Sequence, residues 1–159
     1  MTILVFITLL LLVLYAALIA FYHRSWKAVA GQDEIPSNFT PALKITVLIP
    51  ARNEGSNIRA CIESYLKQSY PFELRECIVK DDHSEDNTAA IVEEYAGQGI
   101  KLIRLSDKLP VLPINSYKKK ALETGIALAS GQLILTTDAD CLLPPDWILQ
   151  HVFFQQNTG

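Results

Sequence analysis

Two aspartates two positions apart, Asp138 and Asp140, are the residues whose type and spacing most directly indicate chemistry. They follow residues 133–137, an apolar run with the composition of a buried strand. Paired carboxylate oxygens suit Mg²⁺ or Mn²⁺, which enzymes usually hold together with substrate phosphates. The alternative is that the two aspartates are solvated residues of a strand-to-helix loop with no ligand. Taken alone, a D-x-D pair favours that interpretation, because so short a motif often matches by chance.

A second acidic pair, Asp81 and Asp82, follows the short apolar segment 77–79. A carboxylate accepts hydrogen bonds and donates none, so it selects a donor edge such as the N3–H of uracil, or ribose hydroxyls. Ser84 predicts a helix N-cap directly after this pair. Helix capping accounts for the residues from Ser84 onward. It does not account for the two aspartates, which either bind a ligand or lie in a solvated loop.

Two basic residues and one histidine are further candidates. Arg52 can contact a phosphate or stack on a base, although a solvated loop arginine is the commoner case. Lys118, at a predicted helix start, would place positive charge near a diphosphate, and a solvated basic face is the alternative. His83 has no serine or cysteine partner at a suitable position, which argues against a catalytic base.

The elements that must position these groups alternate between strands and helices. Strands are predicted at residues 44–49, 77–79, 100–105 and 133–137. Helices are predicted at residues 58–66, 84–97 and 118–130, and from residue 144 onward. This alternation indicates an α/β fold with a mostly parallel sheet and flanking helices. Such sheets bind ligands at the carboxyl ends of their strands, where the polar clusters 50–54, 81–86 and 138–140 are expected.

Composition excludes several classes of protein. The 159 residues fit one domain of ordinary size. A net charge of −3 provides no basic field for nucleic-acid binding. The sequence contains no GxGxxG or GxxxxGK[ST], which argues against dinucleotide and P-loop sites. The 3 cysteines form no CxxC pair, so we predict packing residues in a reducing compartment rather than a zinc site or disulfides.

The amino-terminal residues 2–22 contain no charged side chain. About 20 such residues span the hydrocarbon core of a bilayer as a helix. Tyr22 and Trp26 suit the interface, and Arg24 and Lys27 follow at once, so the positive-inside rule places the remaining chain in the cytoplasm. A signal peptide cleaved near residues 28–30 is the alternative, and the missing basic residues before the span argue against it.

The predicted organisation therefore has three parts. Residues 1–23 form a transmembrane helix that anchors the chain in the membrane. Residues 24–43, which turn polar and contain prolines, form a juxtamembrane linker. Residues 44–159 form the α/β domain.

Four segments in this order resemble the amino-terminal half of a family 2 inverting glycosyltransferase with the GT-A fold. They are ITVLIPARNE, DDHSEDNT, KKKALETG and TTDADCLLPPDW, between residues 44 and 147. The resemblance implies a nucleotide-sugar donor, most readily UDP-linked, and transfer of its sugar with inversion to an acceptor hydroxyl, lipid-linked or on a polysaccharide. Mg²⁺ or Mn²⁺ would be the cofactor.

The resemblance also assigns roles to individual residues. It places Asp82 (or Asp81) against the base, Lys118 near the diphosphate, and Asp138 and Asp140 at the metal, with Asp140 as the direct ligand. The residues that would line the base and ribose come from the end of the first strand: Pro50, Ala51, Arg52 and Glu54.

This chain departs from the family pattern at several places. Lys80 replaces an apolar residue, His83 stands where glycine is frequent, and Glu123 stands where asparagine is common. The family's general base, an aspartate on a later segment, would lie beyond Gly159. We therefore expect a donor-binding portion that does not transfer sugar by itself. A non-catalytic, membrane-anchored nucleotide-binding or scaffold module is the alternative.

Overall fold

The computed structural model of the chain describes residues 1–29, 35–105 and 125–158. Lys118 and most of the helix predicted over residues 118–130 lie outside these ranges, whereas residues 125–128 are helical. The chain divides into two compact units, residues 1–37 and 38–159.

The first unit consists of helix α1 (Thr2–Val29). Its 28 residues give a length of about 42 Å. The segment Thr2–Lys27 is long and apolar enough to cross a membrane, and its side chains are exposed. The helix continues past the predicted apolar span because residues 23–29 contain neither proline nor glycine to end it.

The second unit is built on a four-stranded parallel sheet with the order β3-β2-β1-β4. Its strands are β1 (Ile45–Ala51), β2 (Arg75–Asp81), β3 (Ile100–Arg104) and β4 (Leu133–Thr136). β1 is central, with Ala51 opposite Asp81 on one side and Leu48 opposite Thr136 on the other. The parallel α/β sheet predicted from the sequence is confirmed, and its strands end at one common edge.

Helices α2 (Ile58–Leu66), α3 (Thr88–Glu93) and α4 (Trp147–Thr158) accompany the sheet. The apolar face predicted for α2 is buried, with Ile58, Cys61 and Ile62 fully inaccessible to solvent. These side chains join Val47 of β1 and Ile148 of α4 in one hydrophobic cluster. Burial of this cluster holds α2 against the sheet, which fixes the loops at both ends of the helix.

Two predictions about local structure are wrong. Ser84 does not cap a helix, because α3 begins at Thr88 and the Ser84 hydroxyl accepts a hydrogen bond from the backbone of Asn53 instead. Cys141 is exposed, whereas Cys61 and Cys77 are buried as predicted. For Ser84, a residue 31 positions earlier in the sequence determines the hydrogen bond of the hydroxyl, and a local pattern does not report such a neighbour.

A buried carboxylate, Glu76, organises the amino-terminal edge of the sheet. Its Oε1 accepts hydrogen bonds from Thr46 Oγ1 (2.5 Å) and from the backbone N–H and hydroxyl of Ser130 (2.6 and 2.8 Å). Its Oε2 accepts from Lys101 Nζ at 2.8 Å. Burial raises the pKa of Glu76, but the hydrogen bonds from Lys101, Thr46 and Ser130 outweigh it and lower the pKa to about 2.

We expect Glu76 to make the stability of the domain depend on acid pH. Its pKa is lower in the folded chain than the ordinary value of 4.5, so its contribution is complete above pH 4.5 and disappears as the pH falls towards 2. At 1.36 kcal/mol per unit, the contribution is about 3 kcal/mol near neutrality. Chemical unfolding of the full chain in detergent, between pH 7 and pH 3, measures it.

Glu76→Gln should lower the free energy of unfolding at pH 7 and flatten this acid dependence. Glu73→Gln, which changes an exposed glutamate in the turn just before β2, is the control and should alter neither. An identical acid dependence in the chain with and without Glu76 would contradict the assignment.

Candidate functional site

Three loops meet at the carboxyl-terminal edge of the sheet, around the end of β1. The N–H of Asp82 donates to the carbonyl of Ala51 at 2.9 Å, and the N–H of Thr137 donates to the carbonyl of Leu48 at 3.2 Å. Neighbouring strands lie about 4.8 Å apart, so the loops after β2 and β4 start roughly 10 Å apart, on either side of β1. The structure therefore brings Asp82 and the segment of Asp138 to the same edge.

The loops after β1 and β2 are joined by reciprocal hydrogen bonds. The N–H of Asn53 donates to the hydroxyl of Ser84 at 2.9 Å. In return, the N–H of Glu85 donates to Oδ1 of Asn53 at 2.8 Å. Each loop thus satisfies polar backbone groups of the other.

Thr88 provides a second connection between these loops. Its hydroxyl accepts from the N–H of Glu54 at 2.8 Å and donates to Oδ1 of Asp86. The other oxygen of Asp86 accepts from the N–H of Gly55 at 3.0 Å. A Cβ at Gly55 would lie 2.0 Å from the amide oxygen of Asn87, so a larger residue there would displace that side chain. Together these contacts give the two loops one joint conformation.

Asn53 and His83 both have a left-handed backbone conformation, each with φ of 56°. Asparagine tolerates this region because its short amide group bonds locally, and histidine, although found there more often than most residues, still has the steric cost of its Cβ. Glycine adopts it without steric cost, which gives a physical reason for the frequent glycine that the resemblance places at position 83.

The two aspartates after β2 have different surroundings. Asp81 is 4% exposed, and its Oδ1 accepts from the N–H of Ser84 at 3.3 Å. The side chain of Asp82 is 13% exposed. Its Oδ1 lies 3.0 Å from Nδ1 of His83, and its Oδ2 lies 4.0 Å from Nη1 of Arg52. Asp81 therefore shapes the loop, and Asp82 presents the more available oxygen.

The remaining predicted site residues of the β1 loop differ in how far their side chains are exposed to solvent. Pro50 is half-buried and Ala51 is buried, so both lie beneath the loops at the carboxyl-terminal edge of the sheet. The side chain of Arg52 is 57% exposed. Glu54 is half-buried, and its carbonyl accepts at 2.8 Å from the N–H of Ile58, the first residue of α2.

Asp138 and Asp140 are both exposed, and Ala139 between them is buried. The N–H of Cys141 donates to the carbonyl of Asp138 at 3.2 Å, which closes a turn. The buried alanine anchors this turn in the core and leaves both carboxylates in solvent. The thiol of Cys61 lies 3.7 Å from the same carbonyl, and burial, with smaller effects of Cys141 and Asp140, raises its pKa to about 11.

Helix α2 and the residues just after it also hold the chain that follows this turn, through two residues that sequence reasoning missed. Ser64 Oγ accepts from the N–H of Leu143 at 3.0 Å. Gln68, only 6% exposed, donates to the carbonyl of Pro144 at 2.6 Å and accepts from the N–H of Ile148 at 3.0 Å. The available signal was the i, i+4 spacing of two polar residues beside the apolar face of α2.

The chemistry of Asp138 and Asp140 fits a hard divalent cation. Within residues 1–29, 35–105 and 125–158, no group of three or more His, Cys, Asp or Glu side chains is arranged to hold a metal ion. Two solvent-facing carboxylates fit an ion whose remaining ligands are substrate oxygens and water, as Mg²⁺ sites commonly have. These two residues would hold Mg²⁺ or Mn²⁺.

Thr88→Val should destabilise the joined loops, because it keeps the shape of the side chain and removes the acceptor of the Glu54 N–H. Leaving a partly buried backbone donor unpaired costs about 1–3 kcal/mol. Chemical unfolding of the full chain in detergent measures this loss. Thr40→Val, at an exposed threonine, is the control and should change stability by no more than about 0.5 kcal/mol. Equal effects of the two substitutions would show that the hydroxyl of Thr88 does not hold the loops.

Comparison with known proteins identifies relatives of the second unit. An undecaprenyl-phosphate 4-deoxy-4-formamido-L-arabinose transferase from Proteus mirabilis is 32% identical over 114 residues, which are 70% of this chain and 33% of that protein. The chain spans between 23% and 36% of the length of the curated relatives it matches.

Two solved structures show the same fold. The mannosyltransferase PcManGT from Pyrobaculum calidifontis, in complex with GDP-Man and Mn²⁺, has a TM-score of 0.69 and 25% identity over 87% of this chain and 40% of its own. TarS from S. aureus, in complex with UDP-GlcNAc, has a TM-score of 0.58 and 26% identity over 72% of this chain and 31% of its own.

The GT-A fold predicted from the resemblance is therefore confirmed. The model of the family described as Glycosyl transferase family 2 matches residues 46–159. Because this match covers most of the chain and includes every loop at the carboxyl edge of the sheet, the chain belongs to glycosyltransferase family 2.

Proposed function

We propose that residues 44–159 form the donor-binding portion of a glycosyltransferase that moves a sugar from a UDP-linked donor to an acceptor hydroxyl with inversion. The observation that carries the proposal is the placement of Asp82 and the D-x-D pair on either side of the central strand β1. A nucleoside diphosphate is long enough to extend from one group to the other across the roughly 10 Å between their loops.

Recognition of the base is the role we propose for the β1 and β2 loops. Asp82 accepts from the N3–H of uracil through its available oxygen, and Arg52, which is largely exposed, stacks on the base or contacts a phosphate. Pro50, Ala51 and Glu54 line the base and ribose, and Asp81 supports the loop from within. TarS with UDP-GlcNAc supports a uridine donor.

Charge balance supports a divalent cation at Asp138 and Asp140. Both carboxylates are exposed at an edge that also carries Asp82 and Glu54, so a diphosphate would meet mainly like charge there. Mg²⁺ or Mn²⁺, when bound, screens this repulsion and stabilises the charge that develops on the leaving diphosphate. The Mn²⁺ complex of PcManGT supports this cofactor, and Lys118 is proposed to add positive charge near the diphosphate.

The acceptor and the location follow from the amino-terminal helix. Residues 1–23 anchor the chain in the membrane, residues 24–43 connect the anchor to the domain, and the domain lies in the cytoplasm. This arrangement would place the site near lipid-linked or polysaccharide acceptors, and the name of the P. mirabilis relative supports a lipid phosphate. Inverting transfer also needs a general base for the acceptor hydroxyl, which the resemblance assigns to a later segment.

Asp140→Asn should weaken binding of UDP in the presence of Mn²⁺ by about tenfold or more, because the cation loses a charged ligand. Calorimetry on the full chain in detergent measures this, with and without EDTA. Asp138→Asn should act in the same direction. Asp146→Asn, which changes a carboxylate six residues further along that bonds Ser69, is the control and should leave binding unchanged. Equal binding with and without metal would contradict the proposed site and favour the non-catalytic module.

The orientation in the membrane is tested with a green fluorescent protein fused after residue 159 in a bacterial host. We expect fluorescence and a membrane-bound product of full length, because the basic residues Arg24 and Lys27 stay on the cytoplasmic side. Replacement of both by glutamine should reduce the fraction with this orientation. A shortened, released product would instead identify residues 1–30 as a signal peptide.

A further inference from the structure

We propose that His83 is a positioning residue for the donor base: its imidazole orients the carboxylate of Asp82 so that one oxygen remains available to a base N–H. This inference rests on the proposed function, because it gives Asp82 the role of base acceptor. The inference explains how Asp82 is held in position to accept from the base. It also predicts that the site prefers uracil to cytosine.

The contact itself is direct and short. Nδ1 of His83 lies 3.0 Å from Oδ1 of Asp82, within hydrogen-bonding distance. A carboxylate has no proton to donate, so the proton of this bond is on Nδ1. The side chain of Asp82 is 13% exposed and that of His83 is 26% exposed, so both are partly protected from competing water.

Arg52 does not replace this contact. Its Nη1 is 4.0 Å from Oδ2 of Asp82, beyond hydrogen-bonding distance, and its side chain is 57% exposed. Oδ1 of Asp82 is therefore hydrogen-bonded to the imidazole, and Oδ2, which has the longer ion pair with Arg52, is the oxygen more accessible to a ligand.

Several hydrogen bonds that do not involve the imidazole hold the path of the loop. The backbone of Asp82 is held by the carbonyl of Ala51, and the N–H of Ser84 is held by Asp81. The reciprocal bonds between Asn53 and the residues after His83 hold the remainder of the loop. The hydrogen bond from His83 to Asp82 therefore acts on the direction of a side chain rather than on the path of the backbone.

The backbone of His83 gives an independent argument. Its φ of 56° is a conformation that glycine adopts freely and that carries a steric cost for histidine. A cost of this kind persists when the side chain or its surroundings compensate for it, and such outliers cluster at ligand-binding sites. The bond to Asp82 is a contact of this compensating kind.

An oriented acceptor distinguishes between pyrimidines. Uracil presents an N–H at position 3, whereas cytosine presents an acceptor there that repels a carboxylate. A carboxylate free to rotate would discriminate less, because it could turn away from the cytosine acceptor. If His83 orients Asp82 in this way, the chain binds UDP more tightly than CDP, and the difference comes from the base because both ligands carry the same diphosphate.

Calorimetry on the full chain in detergent, with saturating Mn²⁺, compares UDP with CDP for two variants. His83→Gly suits the left-handed backbone, so we expect a melting temperature within about 4 °C of that of the original chain. Its affinity for UDP, and the ratio of UDP to CDP affinity, should fall by about three- to tenfold, the range of one hydrogen bond. His83→Asn should restore most of the ratio, because asparagine tolerates this φ and its amide can donate to Asp82. An unchanged ratio in His83→Gly overturns the inference.

Two further variants separate failure of this inference from failure of the proposed function. Asp82→Asn should reduce the UDP to CDP ratio at least as much as His83→Gly, and the double variant should show no additional loss. If Asp82→Asn keeps the ratio, base recognition by Asp82 is wrong and the role of His83 falls with it. If only His83→Gly keeps the ratio, the positioning role alone is wrong. His151→Ala, at an exposed histidine of α4, is the control and should leave the ratio unchanged.

Discussion

The parallel pairing of β1 with a strand on each side is the constraint on which the rest of the structure depends. Because β2 and β4 both run in the direction of β1, the loops that follow these three strands leave the sheet at the same edge. An antiparallel neighbour would send its loop to the opposite edge. Arg52, Asp82 and Asp138 follow three different strands, and this pairing brings the starts of their loops within roughly 10 Å of one another.

Carboxylates at the two edges of the sheet differ in burial and in hydrogen bonding. At the amino-terminal edge, Glu76 is buried and accepts hydrogen bonds from Thr46, Lys101 and Ser130, so its charge serves stability. At the carboxyl-terminal edge, the β1 and β2 loops are joined by backbone N–H groups that donate to the side chains of Ser84, Asn53 and Thr88. The carboxylates of Asp138 and Asp140 take no part in these bonds and stay exposed, so they are accessible to a ligand.

Several elements could be predicted because their signal is local. The apolar runs gave the positions of β1 and β4, and the i, i+3, i+4 pattern gave α2 as Ile58–Leu66. Ser84 shows where local signals fail. Its residue type and its position before an apolar helical pattern are typical of an N-cap. In the structure, however, its hydroxyl accepts a hydrogen bond from the backbone N–H of Asn53, 31 residues earlier. The roles of Ser64 and Gln68 in holding the D-x-D segment were likewise invisible, because their partners lie more than 70 residues away.

The sequence by itself determined the apolar helix, the alternating α/β pattern and the acidic pairs, since hydrophobic periodicity and residue type act over a few neighbours. Only the tertiary structure distinguished Asp81 from Asp82: one carboxylate is buried beneath Ser84, and the other turns out beside His83. Adjacent residues at the end of a strand point to opposite faces, and which face meets a packed loop depends on contacts between distant segments. Those contacts arise from the packing of the whole domain, so no short stretch of sequence specifies them.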